Sequence, residues 1–180
     1  MERAKRDGEL LTLNPHIDRT TARERIGLSR PCSQVFRLVL SPGLPLLEDT
    51  VKLVATYARS RFSQRVADRV ALASQELLNN ALDYCKVGHE VVFELSVGED
   101  DVEVRVENAA IAERVDMLRK HLARIEANPE GIFAEELRRA LDGRGARAML
   151  GLSRVRAEAQ MEVDVKVELN NVAVTATCRR

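Results

Sequence analysis

The chain contains few aromatic residues: they make up 3% of its 180 residues, and tryptophan is absent. Proteins that bind single-stranded nucleic acid rely on aromatic side chains on which the bases stack. An excess of one charge is also missing, since 28 Lys and Arg residues balance 28 Asp and Glu residues. A neutral chain exerts no general attraction on a polyanion or an anionic membrane. We therefore expect neither a nucleic-acid partner nor a membrane partner.

Cysteine and histidine are scarce as well, with three of each. The cysteines are too far apart for the paired spacing of a zinc site and too few for a disulfide framework, so we expect reduced thiols. The histidines lie in different segments and form no metal-binding pair. The six residues are Cys32, Cys85, Cys178, His16, His89 and His121.

Long apolar runs are missing too. The first seven residues are mostly charged, and no long apolar stretch follows them. This pattern predicts neither a signal peptide nor a membrane-spanning helix, and it indicates a cytoplasmic protein. A chain of this length fits one domain.

Hydrophobic periodicity predicts an alternation of strands and helices. The predicted strands are 35–40, 91–97, 102–106, 161–169 and 172–176, with a turn at Asn170-Asn171, and the predicted helices are 46–59, 64–85, 111–125, 131–141 and 147–159. This order predicts an α+β fold, a two-layer sandwich whose mostly antiparallel sheet is covered on one face by helices. We assign residues 1–34 to an N-terminal arm, 35–180 to the domain, and about 111–141 to a helical insert within it.

The predicted helix 64–85 carries a carboxylate and a carboxamide one turn apart, Glu76 and Asn80. Residues at this spacing share one helix face. A glutamate there can act as a general base, and an amide oxygen can bind a hard cation such as Mg²⁺. Asp83 extends this polar stripe beside an apolar line at the rim of the core. The alternative is that Glu76 and Asn80 simply belong to a solvated helix face.

Residues 76–84, Glu-Leu-Leu-Asn-Asn-Ala-Leu-Asp-Tyr, resemble the N box of the GHKL superfamily of ATP-binding proteins, which includes histidine kinases, gyrase and bacterial anti-sigma-factor kinases. The chain most resembles SiaB-like protein kinases and regulators. The resemblance implies the histidine-kinase-like ATPase fold, with ATP bound between helices and sheet. It also implies that Glu76 is the general base and Asn80 the Mg²⁺ ligand, with Asn79 and Asp83 near the nucleotide.

Two further loops of the superfamily have partial counterparts here. Asn108 stands where an aspartate accepts a hydrogen bond from the adenine amino group, and Ala110 replaces a glycine. Asn108 retains one carbonyl oxygen as an acceptor; the alternative is that it only ends a strand in a turn. Gly151 and Leu152 match the end of the phosphate-binding loop, although Met149 replaces its earlier glycine.

The resemblance implies one of two functions. The first is an ATP- and Mg²⁺-dependent Ser/Thr kinase that phosphorylates a small regulatory protein in a bacterial partner-switching signalling system. The second is a catalytically degenerate GHKL-fold module that sequesters a regulatory partner of the anti-sigma antagonist type, with the nucleotide pocket vestigial. Kinases of this type often pair through their sheet or first helix, so the resemblance also implies a homodimer.

Overall fold

The structure is a computed structural model that describes residues 33–42, 47–142 and 147–180. Its elements, in chain order, are β1 (Ser33–Leu40), α1 (Leu47–Arg61), α2 (Gln64–Tyr84), β2 (Val91–Val97), β3 (Asp101–Ala109), α3 (Ala112–Ala127), α4 (Pro129–Leu141), α5 (Arg147–Ala157), β4 (Glu162–Glu168) and β5 (Asn171–Arg179). The predicted arm lies outside the described residues, apart from its last two residues, which already belong to β1.

The five strands form one antiparallel sheet in the order β1-β2-β3-β5-β4. Two hairpins, β2-β3 and β4-β5, join when β5 pairs with β3. The α+β prediction with an antiparallel sheet is therefore confirmed, and the five helices and the sheet are consistent with a two-layer sandwich. None of the helices in the described ranges is long and apolar enough to cross a membrane.

The core lies between α2 and one face of the sheet. Strand β3 alternates, so that Val104 and Val106 join the core, while Arg105 points to the other face and pairs with Glu107 at 2.7 Å. Helix α2 contributes most of the helical side of the core, and its predicted apolar line is buried in full. That line is Val66, Val70, Ala73, Leu77 and Ala81.

The insert consists of α3 and α4, as predicted. Asn128 separates the two helices: its side chain accepts a hydrogen bond from the backbone N–H of Gly131 at 3.0 Å and thereby caps α4. An apolar stripe of α3 packs inward, with Val115 and Ile125 buried and Leu118 and Leu122 against the core.

The turn of the second hairpin was placed one residue too late by the sequence. Glu168 pairs with Asn171, so the two turn residues are Leu169 and Asn170. Leu169 adopts a φ of 55°, which leucine rarely does. The preference of asparagine for turns suggested the pair Asn170-Asn171, whereas the strand register decides the position.

Candidate functional site

Helix α2 holds Glu76 and Asn80 on the side that faces α5. Glu76 is only 9% exposed, which rules out the solvated-face alternative for this carboxylate. Asn80 is half-buried. The long apolar line of α2 anchors the helix on the sheet and thereby fixes the direction of this polar face.

Gly151 of α5 lies directly against this face. A Cβ at position 151 would stand 2.8 Å from Oε2 of Glu76 and 3.1 Å from Nδ2 of Asn80. Real Cβ atoms almost never approach another atom to 2.8 Å, so a side chain at position 151 would displace the carboxylate end of Glu76. The structure thus brings Glu76, Asn80 and Gly151 together.

Arg154, which the sequence analysis did not identify, completes this cluster. Its Nη1 donates a hydrogen bond to Oε1 of Glu76, while its Nε and Nη2 contact Oε2 of Glu158 at 3.1 and 3.0 Å. Burial raises the pKa of Glu76, and the positive charge of Arg154 acts in the opposite direction. The signal was present, since Arg154 lies one turn after Gly151 on the same helix.

A cavity continues from this cluster between the helices and the sheet. Its volume is about 60 Å³, which is room for a few water molecules. Asn80, Asn108 and Leu152, all singled out from the sequence, line it. The other lining residues are mostly apolar and come from α2, α3, β3 and β5: Leu77, Ala81, Tyr84, Val106, Ala110, Arg114, Val115, Met117, Leu118, Val172 and Val174.

Asn108 lies inside strand β3, where it pairs with Val91 and Val172. It therefore does not end the strand in a turn, as the alternative interpretation had it. Its Nδ2 donates to the carbonyl oxygen of Ala109 at 3.3 Å, which leaves Oδ1 as the acceptor of a buried side chain that lines the cavity. An acceptor in this place suits an exocyclic amine.

Asn80 has a buried polar atom without a partner. Within the described part of the chain, its Nδ2 has no hydrogen-bond acceptor. A buried donor in this state costs about 1 to 3 kcal/mol, and Asn80 lines the cavity. An amide next to an open space is available to a ligand or to a water molecule.

Asn79 and Asp83 are not part of the cavity wall. Asn79 is half-buried and Asp83 is exposed, and neither is among the lining residues. The predicted polar stripe therefore divides at Asn80: Glu76 and Asn80 face α5, whereas Asp83 faces solvent.

The donor set suits a cation only in part. Among the described residues, no three His, Cys, Asp or Glu side chains form a group that could hold a metal ion. Mg²⁺, however, is often held by one or two protein oxygens together with the phosphates of a substrate. Oδ1 of Asn80 could serve as such a ligand, and a chain that binds Mg²⁺ in this way would need the nucleotide to complete the coordination.

The insert is tied to α5 by a buried polar chain. Ser153 donates a hydrogen bond to Oε2 of Glu136, and Oε1 of Glu136 lies 3.2 Å from Nδ1 of His121. All three side chains are buried. Ser153 stands between Leu152, which lines the cavity, and Arg154, which binds Glu76, so the insert is connected to the residues of the site through one turn of helix.

Comparison with known proteins adds no assignment. Neither a scan against protein-family models nor a search of curated proteins finds a match to this chain.

Proposed function

We propose that the chain is an ATP- and Mg²⁺-dependent Ser/Thr protein kinase of a bacterial partner-switching system, with a GHKL-like ATPase fold. The observation that carries this proposal is the meeting of Glu76, Asn80 and Gly151 beside a cavity that both Asn80 and Asn108 line. A cation ligand and an acceptor for an amine thus line one cavity, and a base and a helical glycine lie next to it.

Glu76 has the properties of a general base. Burial raises its pKa and so makes the carboxylate a stronger proton acceptor than an exposed glutamate. Its Oε2 faces Gly151, while Oε1 is bound to Arg154. In the proposed reaction Oε2 takes the proton of a serine or threonine hydroxyl of the partner protein.

The other residues bind and orient. ATP with Mg²⁺ supplies the phosphoryl group, and a reaction of this kind needs mainly positioning and charge neutralisation from the protein. Asn80 would bind the cation through Oδ1, Asn108 would accept from the adenine amine, and Gly151 with Leu152 would lie beside the phosphates. The cavity is smaller than the roughly 300 to 1,000 Å³ of common ligand pockets, so entry of the nucleotide requires side chains at its edge to move.

The partner in this proposal is a small regulatory protein that receives the phosphate, and the reaction takes place in the cytoplasm. Glu76→Ala should abolish phosphoryl transfer to it without any loss of ATP affinity, because the base acts on the hydroxyl and not on the nucleotide.

Calorimetric titration with ATP, with and without Mg²⁺, tests the nucleotide site. We expect Mg²⁺-dependent binding that Asn80→Ala abolishes. Asn79→Ala is a matched control, since it removes the same amide from the adjacent position outside the cavity, and it should bind ATP like the parent chain. Absence of binding at millimolar ATP would refute the kinase proposal.

A second candidate function is supported by the contacts that already hold this cluster. Arg154 pairs with Glu76, and Gly151 packs against Asn80, so the carboxylate has its counter-charge without a nucleotide. A module that sequesters a regulatory partner needs no more than this. Partner affinity should then be unchanged by ATP, ADP or Mg²⁺, and a large shift on addition of ATP would exclude this candidate.

A further inference from the structure

The guanidinium group of Arg154 is bracketed by two carboxylates. Nη1 binds the buried Glu76, and Nε and Nη2 bind Glu158, the residue after the end of α5. The Arg154 side chain is 34% exposed and that of Glu158 is 42% exposed. The guanidinium therefore stands at the rim of the site, where it is accessible from solvent, and its partners are both anions.

Arg154 and Gly151 share one face of α5. They are three residues apart, a spacing that places side chains on the same side of a helix. Gly151 lies against Asn80 and Glu76, and Arg154 binds Glu76. A group that entered the site between Gly151 and Asn80 would thus meet the guanidinium within one turn of helix.

A phosphate group competes well for such an arginine. The guanidinium presents its N–H donors as a planar fork that matches two phosphate oxygens, and charge-assisted bonds of this kind are stronger than neutral ones. Glu158 is a weak competitor, because exposed ion pairs contribute little. Glu76 is the stronger competitor, because a buried carboxylate that loses its counter-charge is costly.

We propose that Arg154 binds the terminal phosphates of the nucleotide and exchanges its bond with Glu76 for a bond with phosphate. The inference rests on the proposed ATP site and deepens it. In the unliganded chain Glu76 occupies the anion site of Arg154. Binding of the phosphates releases Oε1 of Glu76, so the base is free only when the nucleotide is bound.

The release also affects the proton affinity of the base. Arg154 is the group that lowers the pKa of Glu76 against the effect of burial. Once the guanidinium is bound to phosphate, it lowers the pKa of Glu76 less. Burial then raises this pKa further, and the carboxylate becomes a stronger proton acceptor.

The test compares a ligand that carries phosphates and Mg²⁺ with one that has the same nucleoside and neither of them. Wild-type chain, Arg154→Gln and Glu158→Gln are titrated calorimetrically with ATP plus Mg²⁺ and, separately, with adenosine. We expect Arg154→Gln to lose roughly ten- to hundred-fold in ATP affinity and to bind adenosine like the wild type. Glu158→Gln is the matched control, since it removes a charge from the exposed side of the same arginine, and it should bind both ligands normally.

Exchange of partners is tested by a double-mutant cycle. Glu76→Gln removes the competing anion and should raise ATP affinity severalfold when Arg154 is present, and not in the Arg154→Gln background. The double variant also contains no buried unpaired carboxylate, which guards against misfolding of Arg154→Gln alone. Equal gains in both backgrounds would overturn the exchange.

The outcomes separate this inference from the proposed function. If the wild type binds ATP and Arg154→Gln binds it equally well, the inference is wrong and the kinase proposal stands. If the wild type binds neither ATP nor adenosine, both are wrong. Thermal unfolding with and without each ligand gives an independent readout, because a ligand that binds the folded state raises its melting temperature.

Discussion

Helix α2 and the first helix of the insert, α3, form two walls of the same cavity, but α2 and the insert are held in different ways. The buried side chains of α2 are mainly apolar, and they belong to one continuous core with the sheet. The buried side chains of the insert are Val115, Ile125, His121 and Glu136, of which the last two are polar.

This difference separates a fixed wall from an adjustable one. The free energy gained by apolar burial is proportional to the area buried, so a movement of α2 away from the core would lose the contribution of its whole buried face. Polar pairs are directional, and they can be broken and remade at one point. The insert also provides Arg114, whose guanidinium lies 4.9 Å from the ring centre of Tyr84 across the cavity. We therefore expect the cavity to widen by movement of the insert, while α2 keeps Glu76 and Asn80 in place.

The largest expected effect on the free energy of unfolding comes from a substitution in α2. Leu78 of α2 is fully buried, and Leu78→Ala should lower the free energy of unfolding by about 2 to 5 kcal/mol. In the insert, Leu141 is 79% exposed, and Leu141→Ala should change the free energy of unfolding by about 0.5 kcal/mol or less. Urea unfolding of both variants measures the contrast, and similar losses would show that Leu141 is packed and not exposed.

A smaller effect is expected where the insert is tied to α5. Glu136→Ala removes the carboxylate that contacts both Ser153 and His121, and should cost about 1 to 3 kcal/mol. Hydrogen exchange should increase in α3 and α4 and stay unchanged in α2.

The neighbouring residue offers the control for that experiment. Glu135 pairs with Arg124 at 2.9 Å and with Arg139, and these side chains are largely exposed. Glu135→Ala should cost no more than about 1 kcal/mol. A larger loss for Glu135→Ala than for Glu136→Ala would contradict the role of the buried chain.

The cap between the insert helices should matter less. Asn128→Ala deletes the side-chain acceptor of the Gly131 N–H and should cost about 1 kcal/mol. Asn128→Ser retains a capping oxygen and should recover most of the loss. If serine is as destabilising as alanine in thermal unfolding, the amide contributes by packing and not by capping.

The smallest expected effect is the change in the free energy of unfolding with pH that the protonation of Glu76 causes. Its pKa is raised in the folded chain above the usual value of 4.5, chiefly by burial. The folded state then holds this proton more tightly than the unfolded state. The stability contribution is fully present below pH 4.5 and is lost as pH rises through the raised pKa.

Comparison with Glu76→Gln isolates this contribution. The free energy of unfolding of the wild type, relative to the variant, should fall as pH rises above 4.5. Urea titrations at a series of pH values measure the difference. A relative stability that rises with pH would mean that Arg154 lowers the pKa of Glu76 by more than burial raises it.

The same contrast explains how far the sequence could be interpreted. The apolar line of α2 is long and regular, so periodicity predicted the helix within a residue and identified its buried face. The strict alternation of β4 and β5 predicted that hairpin as well, although its turn lies one residue earlier than predicted and β5 continues to Arg179. Local pattern is enough wherever one element carries its own signal.

Contacts between distant elements carry no such signal. The pairing of Arg154 with Glu76 depends on how α5 is rotated against α2, which neither segment shows alone. His121 and Glu136 resemble ordinary surface residues in sequence, and only the packing of the insert on α5 buries them. The turn at Leu169 and Asn170 was missed because the register of the strands outweighed the local preference of asparagine.

The position of β5 between β3 and β4 has a consequence for the rate of folding. The sheet closes when Asn108 pairs with Val172, and the whole insert and α5 lie between these residues in the chain. Such distant pairings carry a large loop-closure entropy before they gain any stabilising contact, and chains that depend on them fold slowly. Asn108 and Leu152 come to line the same cavity only after this closure, so a chain with an intact α2 and an open sheet would still lack the cavity.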